Sequence, residues 1–166
     1  METIMFAIEG IDGHTLAFMG AAFAMVFAGI GSAMGIGYTG QAASGVLAED
    51  PDKFGVMLIL VSLPGTQGFY GFVAAFLIIL EVGLLAEEMV PVTTAQGLQI
   101  LGASLPIAFT GLLSGIHQGK VCSAGIGVAE KKPEHAMKAV IYGAFVETYA
   151  VLGLVITIFL LNGVGL

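Results

Sequence analysis

The chain has 166 residues, of which 57% are hydrophobic and only 10% charged, with a formal net charge of −7 and no arginine. Soluble domains carry about a quarter of charged residues, so this composition excludes a soluble enzyme, and the acidic balance argues against a nucleic-acid surface. The apolar residues form four runs, each longer than the roughly 20 residues that span a bilayer, which predicts an all-α membrane protein with a single membrane domain over 1–166. The opening METIMFAIEG has no basic residue ahead of its apolar part and is not expected to be a cleaved leader. Cys122 is alone, so no intrachain disulfide is possible.

The first predicted helix covers 14–48, with no Asp, Glu, Lys or Arg between Thr15 and Ala48. It carries Gly29, Gly31, Ser32, Gly35, Gly37, Gly40 and Gly45. Small residues let membrane helices approach closely where no hydrophobic drive exists between them. Gly35, Gly37 and Gly40 match a dinucleotide fingerprint as a string, but no strand precedes them, so the reading is close packing. A Walker A sequence is absent, and the chain itself is not expected to hydrolyse ATP.

Asp50-Pro51 opens the second predicted helix, 51–86, with proline near a first turn, where its missing N–H costs nothing. Inside it lies Leu63-Pro64-Gly65-Thr66-Gln67-Gly68-Phe69-Tyr70. Pro64 cannot donate to the carbonyl of Leu60 and is expected to kink the helix. Leu63, Thr66, Gln67 and Tyr70 fall at i, i+3, i+4 and i+7 and share one face. Two readings fit: an oxygen-rich site at the kink, or a kink re-satisfied by its own threonine with polar residues bonding neighbouring helices.

The third helix, 93–130, repeats the small residues at Gly111, Ser114, Gly115 and Gly119 and adds a mid-membrane amide at Gln118. His117 adjoins Gln118 but points away from it along the helix, and is not expected to be a ligand. Lys132-Pro133 opens the fourth helix, 133–163. Glu147 is the only charged residue between Ala139 and Leu166. A carboxylate at the centre of a membrane helix costs about 2.5–3.5 kcal/mol on insertion scales, so the default reading is an ion or proton site. Tyr149 lies on another face and reads as packing, while His14 and His135 lie near helix ends and read as solvated.

Lysines occur in or beside two connections only: Lys53 between helices 1 and 2, and Lys120, Lys131, Lys132 and Lys138 around the connection between helices 3 and 4. The positive-inside rule places both loops in the cytoplasm. A multi-pass protein of the cell membrane is expected, with both termini and the loop between helices 2 and 3 outside.

Shifting the chain by 82 residues aligns 20–84 with 102–166 without a gap. Gly20/Gly102, Phe27/Phe109, Gly29/Gly111, Ser32/Ser114, Gly37/Gly119, Pro51/Pro133, Thr66/Thr148 and Gly71/Gly153 coincide. The chain therefore reads as two copies of one helical hairpin, 14–86 and 93–163, in parallel repetition. Glu147 aligns with Gly65 and Gln118 with Ile36, so one hairpin of the pair kept the carboxylate.

Counted from the cytoplasmic loops, Thr66, Gln118 and Glu147 lie at similar depth. One carboxylate, two amide oxygens, a hydroxyl and a carbonyl form a hard, all-oxygen set. A single carboxylate balances a monovalent cation, which suits Na⁺ better than Ca²⁺. A proton site needs only the carboxyl and a partner or two, so H⁺ remains the alternative cargo. A small four-helix multidrug exporter is a remote alternative; it would lack the duplication and carry more aromatic residues around its carboxylate. A purely structural four-helix protein would explain the glycines but not Glu147 with two amides at its depth.

PGTQGFYG at 64–71, SGIHQGK at 114–120, KKPEHA at 131–136 and FVETYAVLG at 145–153, on a duplicated hairpin, resemble the rotor-ring proteolipid (K- or c-type) of V-type ATPases, nearest its bacterial sodium-translocating branch. The resemblance implies a homo-oligomeric ring of about ten copies. It also implies a stator membrane subunit with an essential arginine, central-stalk subunits on the cytoplasmic side, and ATP hydrolysis on partner subunits. The implied Na⁺ site consists of the carbonyl of Leu63, the hydroxyl of Thr66, the side-chain oxygens of Gln67 and Gln118, and the carboxylate of Glu147, with Tyr70 hydrogen-bonded to Glu147. His117 departs from the pattern, which has a small residue at that position.

Overall fold

A computed structural model describes residues 12–166. The opening segment, over which no cleaved leader is expected, lies outside the described residues. Within them the regular structure is helical: α1 (Gly13–Glu49), α2 (Phe54–Ser62), α3 (Thr66–Glu81), α4 (Thr94–Lys131) and α5 (Ala136–Asn162), with single 3₁₀ turns at Pro51–Lys53, Leu63–Gly65 and Pro133–His135. Because α2 and α3 are two halves of one crossing, four helical stretches are long and apolar enough to cross a membrane: Gly13–Glu49, Pro51–Glu81, Thr94–Lys131 and Pro133–Asn162.

The two hairpins start their second helices alike, Pro51 and Pro133 each opening a 3₁₀ turn. At the first of these the Asp50 side chain accepts from the N–H of Asp52. Lys53 pairs with Asp50 at 3.2 Å and donates to the carbonyl of Glu130 at 2.9 Å, so both lysine-bearing loops meet at one end of the molecule. At the other end the second crossing stops at Glu81 rather than 86, because Gly83 takes φ +70° and reverses the chain. Only glycine adopts that conformation freely. α4 then begins with a capping box between Thr93 and Gln96, which satisfies two end donors reciprocally. His14, expected to be solvated, instead bonds the carbonyl of Val90 at 2.8 Å, with Asp12 at 3.3 Å. It ties the start of α1 to the loop that caps this end.

α1 and α4 form the most extensive contact in the molecule. A Cβ at Gly31 would strike the backbone of Gly111 and Leu112, and one at Gly35 that of Gly115. The backbones are therefore in direct contact, as close-packed membrane helices require of small residues. The second and fourth crossings sit outside this pair and are less buried. They leave Phe69, Phe72, Phe145, Tyr149 and Phe159 exposed. For a chain in lipid that is the expected distribution, since an exposed aromatic side chain meets acyl chains rather than water.

Candidate ion site

The site begins with a proline. Pro64 is buried, and α2 and α3 are joined through the 3₁₀ turn it creates. The Leu63 carbonyl accepts from both the N–H and the hydroxyl of Thr66, the latter at 3.0 Å. The kink is thus re-satisfied by its own threonine, and the same contact holds that hydroxyl beside the carbonyl. Pro64 fits because Gly35 of α1 has no side chain where the ring packs.

The kink has a second support that sequence reasoning missed. Ser32 Oγ accepts from the N–H of Gly68 at 2.7 Å, a donor at the turn following the proline. Its counterpart Ser114 lies beside Val146 and Tyr149 of α5, a helix that no proline interrupts, and Ser114 Oγ has no partner. Ser32→Ala is expected to leave the Gly68 N–H unpaired away from water, at a cost of about 1–3 kcal/mol. Thermal unfolding of the detergent-solubilised protein would report it as a lowered midpoint.

All six residues singled out from the sequence come together. Thr66 Oγ1 lies 3.4 Å from Gln67 Oε1, and Gln67 Nε2 donates to Gln118 Oε1. Gln118 Nε2 donates to Glu147 Oε2 at 3.3 Å, and Tyr70 donates its phenol hydrogen to Glu147 Oε1 at 2.6 Å. An unbroken chain of polar contacts therefore runs from the Leu63 carbonyl to the Glu147 carboxylate. Both amides are fully buried, whereas Glu147, Thr66 and Tyr70 are half-buried. The amides form the floor and the carboxylate stands at the mouth.

Gly143 is a further member, one that sequence reasoning did not pick out. Its carbonyl accepts from Gln118 Nε2 at 3.1 Å and anchors that amide from the α5 side. A Cβ at Gly143 would press on Cys122 Sγ and reach Gln118. The sequence signal was weak, because an isolated glycine among many marks packing in general.

The chemistry of this set is specific. Among the described residues no group of three or more His, Cys, Asp or Glu is placed to hold a metal ion. A cation held here is held by one carboxylate and neutral oxygens, which suits a hard monovalent ion. Rotation about a terminal amide torsion exchanges nitrogen for oxygen at little cost. Both glutamines can then turn oxygen toward a cation or nitrogen toward the bare carboxylate. In the first hairpin, the positions equivalent to Glu147 and Gln118 are Gly65 and Ile36, which pack against each other as an apolar contact. His117 is exposed on the far side of α4, and Tyr149 is 66% exposed on α5. Neither belongs to the set.

The model of the ATP synthase C-subunit family matches twice, over residues 19–78 and 101–160. The two matches are offset by the same 82 residues as the internal repeat. The chain is 56% identical over 148 residues to the K subunit of the V-type sodium ATPase of Enterococcus hirae, covering 89% of this chain and 91% of that protein. It is 38% identical to the K subunit of the A-type ATP synthase of Methanocaldococcus jannaschii, over 93% of this chain and 65% of the relative. It is 33% identical to the 16 kDa proteolipid of the V-type proton ATPase of Nephrops norvegicus, over 86% of this chain and 87% of the relative.

Proposed function

The chain belongs to the ATP synthase C-subunit family, and from that membership we propose that it is a rotor-ring subunit of a V-type ATPase that carries Na⁺ across the membrane on Glu147. It is a multi-pass membrane subunit and not a catalytic one; ATP is hydrolysed on other subunits of such complexes. The observation that carries the Na⁺ reading is the continuous oxygen set at Leu63, Thr66, Gln67, Gln118 and Glu147, closed by the Tyr70 hydrogen bond. Identity to the relative named for sodium also exceeds that to the relative named for protons, 56% against 33%. The same ring with H⁺ as its cargo is the competing reading, because the carboxyl alone suffices for it.

The mechanism follows from charge. An empty Glu147 is an anion that lipid rejects. With Na⁺ bound the site is neutral and can travel the lipid-facing arc of a ring of about ten copies. A separate stator subunit supplies the aqueous access paths and a fixed cation, an arginine, that displaces Na⁺ from each arriving site; this chain has none of its own. Central-stalk subunits dock on the loops around Asp50 and Lys132, which face the cytoplasm by the positive-inside rule.

Carbodiimide attacks the protonated carboxyl, so labelling of Glu147 reads the occupancy of the site. Millimolar Na⁺ is expected to protect Glu147 in isolated membranes, and equal K⁺ is not. Labelling that depends on pH alone would make the ring a proton rotor and return Thr66, Gln67 and Gln118 to packing roles.

A further inference from the structure

The first helix contributes no side chain to the oxygen set, yet one face of it grips the segment that carries Leu63, Thr66 and Gln67. Ser32, Gly35 and Thr39 fall at i, i+3 and i+7 of α1 and share that face, and all three are buried. Ser32 Oγ accepts from the N–H of Gly68 at 2.7 Å, and Gly35 has no side chain where the ring of Pro64 packs. A threonine in mid-helix ordinarily returns its hydroxyl to its own backbone. Thr39 is fully buried and does so toward the carbonyls of Gly35 and Ile36, each at 3.1 Å. The same hydroxyl oxygen lies 3.4 Å from the carbonyl of Val61 in α2, within donating reach.

The contacts at Val61 and Gly68 stand on either side of the ligands. From Thr39 to Ser32 α1 runs back as many residues as the second crossing runs forward from Val61 to Gly68, so both pairs belong to one antiparallel register. Between them lie Leu63, Thr66 and Gln67. The bracketed segment is the soft part of the crossing. Pro64 brings no N–H to the carbonyl of Leu60, and the N–H of Thr66 goes back only three residues, to Leu63. A 3₁₀ turn has poorer hydrogen-bond geometry than an α-helix and a longer rise, about 2.0 against about 1.5 Å per residue. α1, by contrast, is uninterrupted from Gly13 to Glu49, and its rise holds Ser32 and Thr39 about 10 Å apart.

The internal repeat supports the same assignment independently. The counterpart of Val61 is Gly143, and its carbonyl is likewise taken by a side chain from the central helix of its hairpin, Gln118 Nε2 at 3.1 Å. In the second hairpin the contact with that carbonyl anchors a ligand. In the first it anchors the turn that carries the others. The counterparts of Pro64, Gly35 and Thr39 are Val146, His117 and Val121, so the proline and the face that receives it occur together, in one hairpin. We propose that Thr39 is a positioning residue for the cation: with Ser32 it makes α1 a ruler that sets the spacing of the Leu63, Thr66 and Gln67 oxygens, and through that spacing the size of cation the site accepts. The inference rests on the Na⁺ reading and goes beyond it by assigning ion selection to a helix that holds no ligand.

The test is carbodiimide labelling of Glu147 in membranes holding the full assembled complex, with Na⁺ or Li⁺ as the protecting ion. Thr39→Val keeps the shape of the side chain and removes the hydroxyl. It is expected to raise the half-protecting Na⁺ concentration by roughly 2- to 10-fold, the scale of one hydrogen bond, and to change the ratio of Li⁺ to Na⁺ protection. Ring mass and the pH dependence of labelling without Na⁺ are expected to stay as in the parent. Thr39→Ser keeps the hydroxyl and loses the methyl, and is expected to match the parent in each respect. Parental Na⁺ protection in Thr39→Val overturns the proposal. An equal weakening for both ions also overturns it, because the set would have lost order without changing size. A shift of the same extent in Thr39→Ser does so too, by making the methyl the cause, and a Thr39→Val chain that forms no ring would make Thr39 a scaffold residue instead. Absence of Na⁺ protection in the parent is the separate result that sinks the Na⁺ reading itself, and the ruler with it.

Discussion

Glu147→Gln is expected to abolish Na⁺ transport while leaving the chain inserted and assembled. The substitution is close to isosteric, and its amide oxygen can keep the hydrogen bond from Tyr70 that now spans 2.6 Å. Packing is preserved and only the charge goes. A cation in this site would then be surrounded by neutral oxygens in a low-dielectric environment. Removing one partner of a buried charge pair costs roughly 3–5 kcal/mol, or about two to four orders of magnitude in affinity at 1.4 kcal/mol per decade. A loss on that scale takes the site out of its working range at any ordinary Na⁺ concentration. ²²Na⁺ uptake into vesicles carrying the whole complex measures it, with ring mass in detergent as the control for assembly. Normal Na⁺ pumping by the variant would sink the carrier reading.

The parts legible in the sequence were those carried by gross physical constraints. Bilayer thickness set the length of the apolar runs, and the 82-residue shift exposed the hairpins, because identity survives where backbone shape demands glycine or proline. Glu147 was visible because a charge in lipid is costly. The oxygen set was visible because helical spacing puts Leu63, Thr66, Gln67 and Tyr70 on one face, and the loops fix the depth of Gln118. Contacts between elements were much less legible. Nothing in the run of glycines distinguishes Gly143, which anchors Gln118, from Gly127, where an added Cβ would meet nothing within 4 Å. Ser32 and Ser114 look equivalent in the repeat, yet only Ser32 faces a helix broken by proline. The end of the second crossing was missed because a stretch of Leu and Ala after Glu81 continues the apolar pattern, while Gly83 alone decides where the chain turns.

Gln118→Leu is the substitution that separates a Na⁺ rotor from a proton rotor. Leucine is of similar size, so the buried volume beside Cys122 and Gly143 stays filled. What is lost is one oxygen of the cation set, together with the donor that reaches Gly143 and Glu147 and the acceptor for Gln67. Interactions of a buried amide with a charged group are worth about 1.5–3 kcal/mol, which corresponds to roughly a 10- to 150-fold weakening. The carboxyl and its Tyr70 partner remain, so the site can still take and release a proton. The Na⁺ concentration that protects Glu147 from carbodiimide is therefore expected to rise by about that factor, while the pH dependence of labelling without Na⁺ survives. If Glu147 carries only protons, Gln118→Leu has no Na⁺ protection to lose, and the variant behaves as the parent at every Na⁺ concentration. If Gln118 merely packs, protection by Na⁺ is unchanged. A large shift in Na⁺ protection with labelling otherwise intact is the result that only a coordinating amide produces.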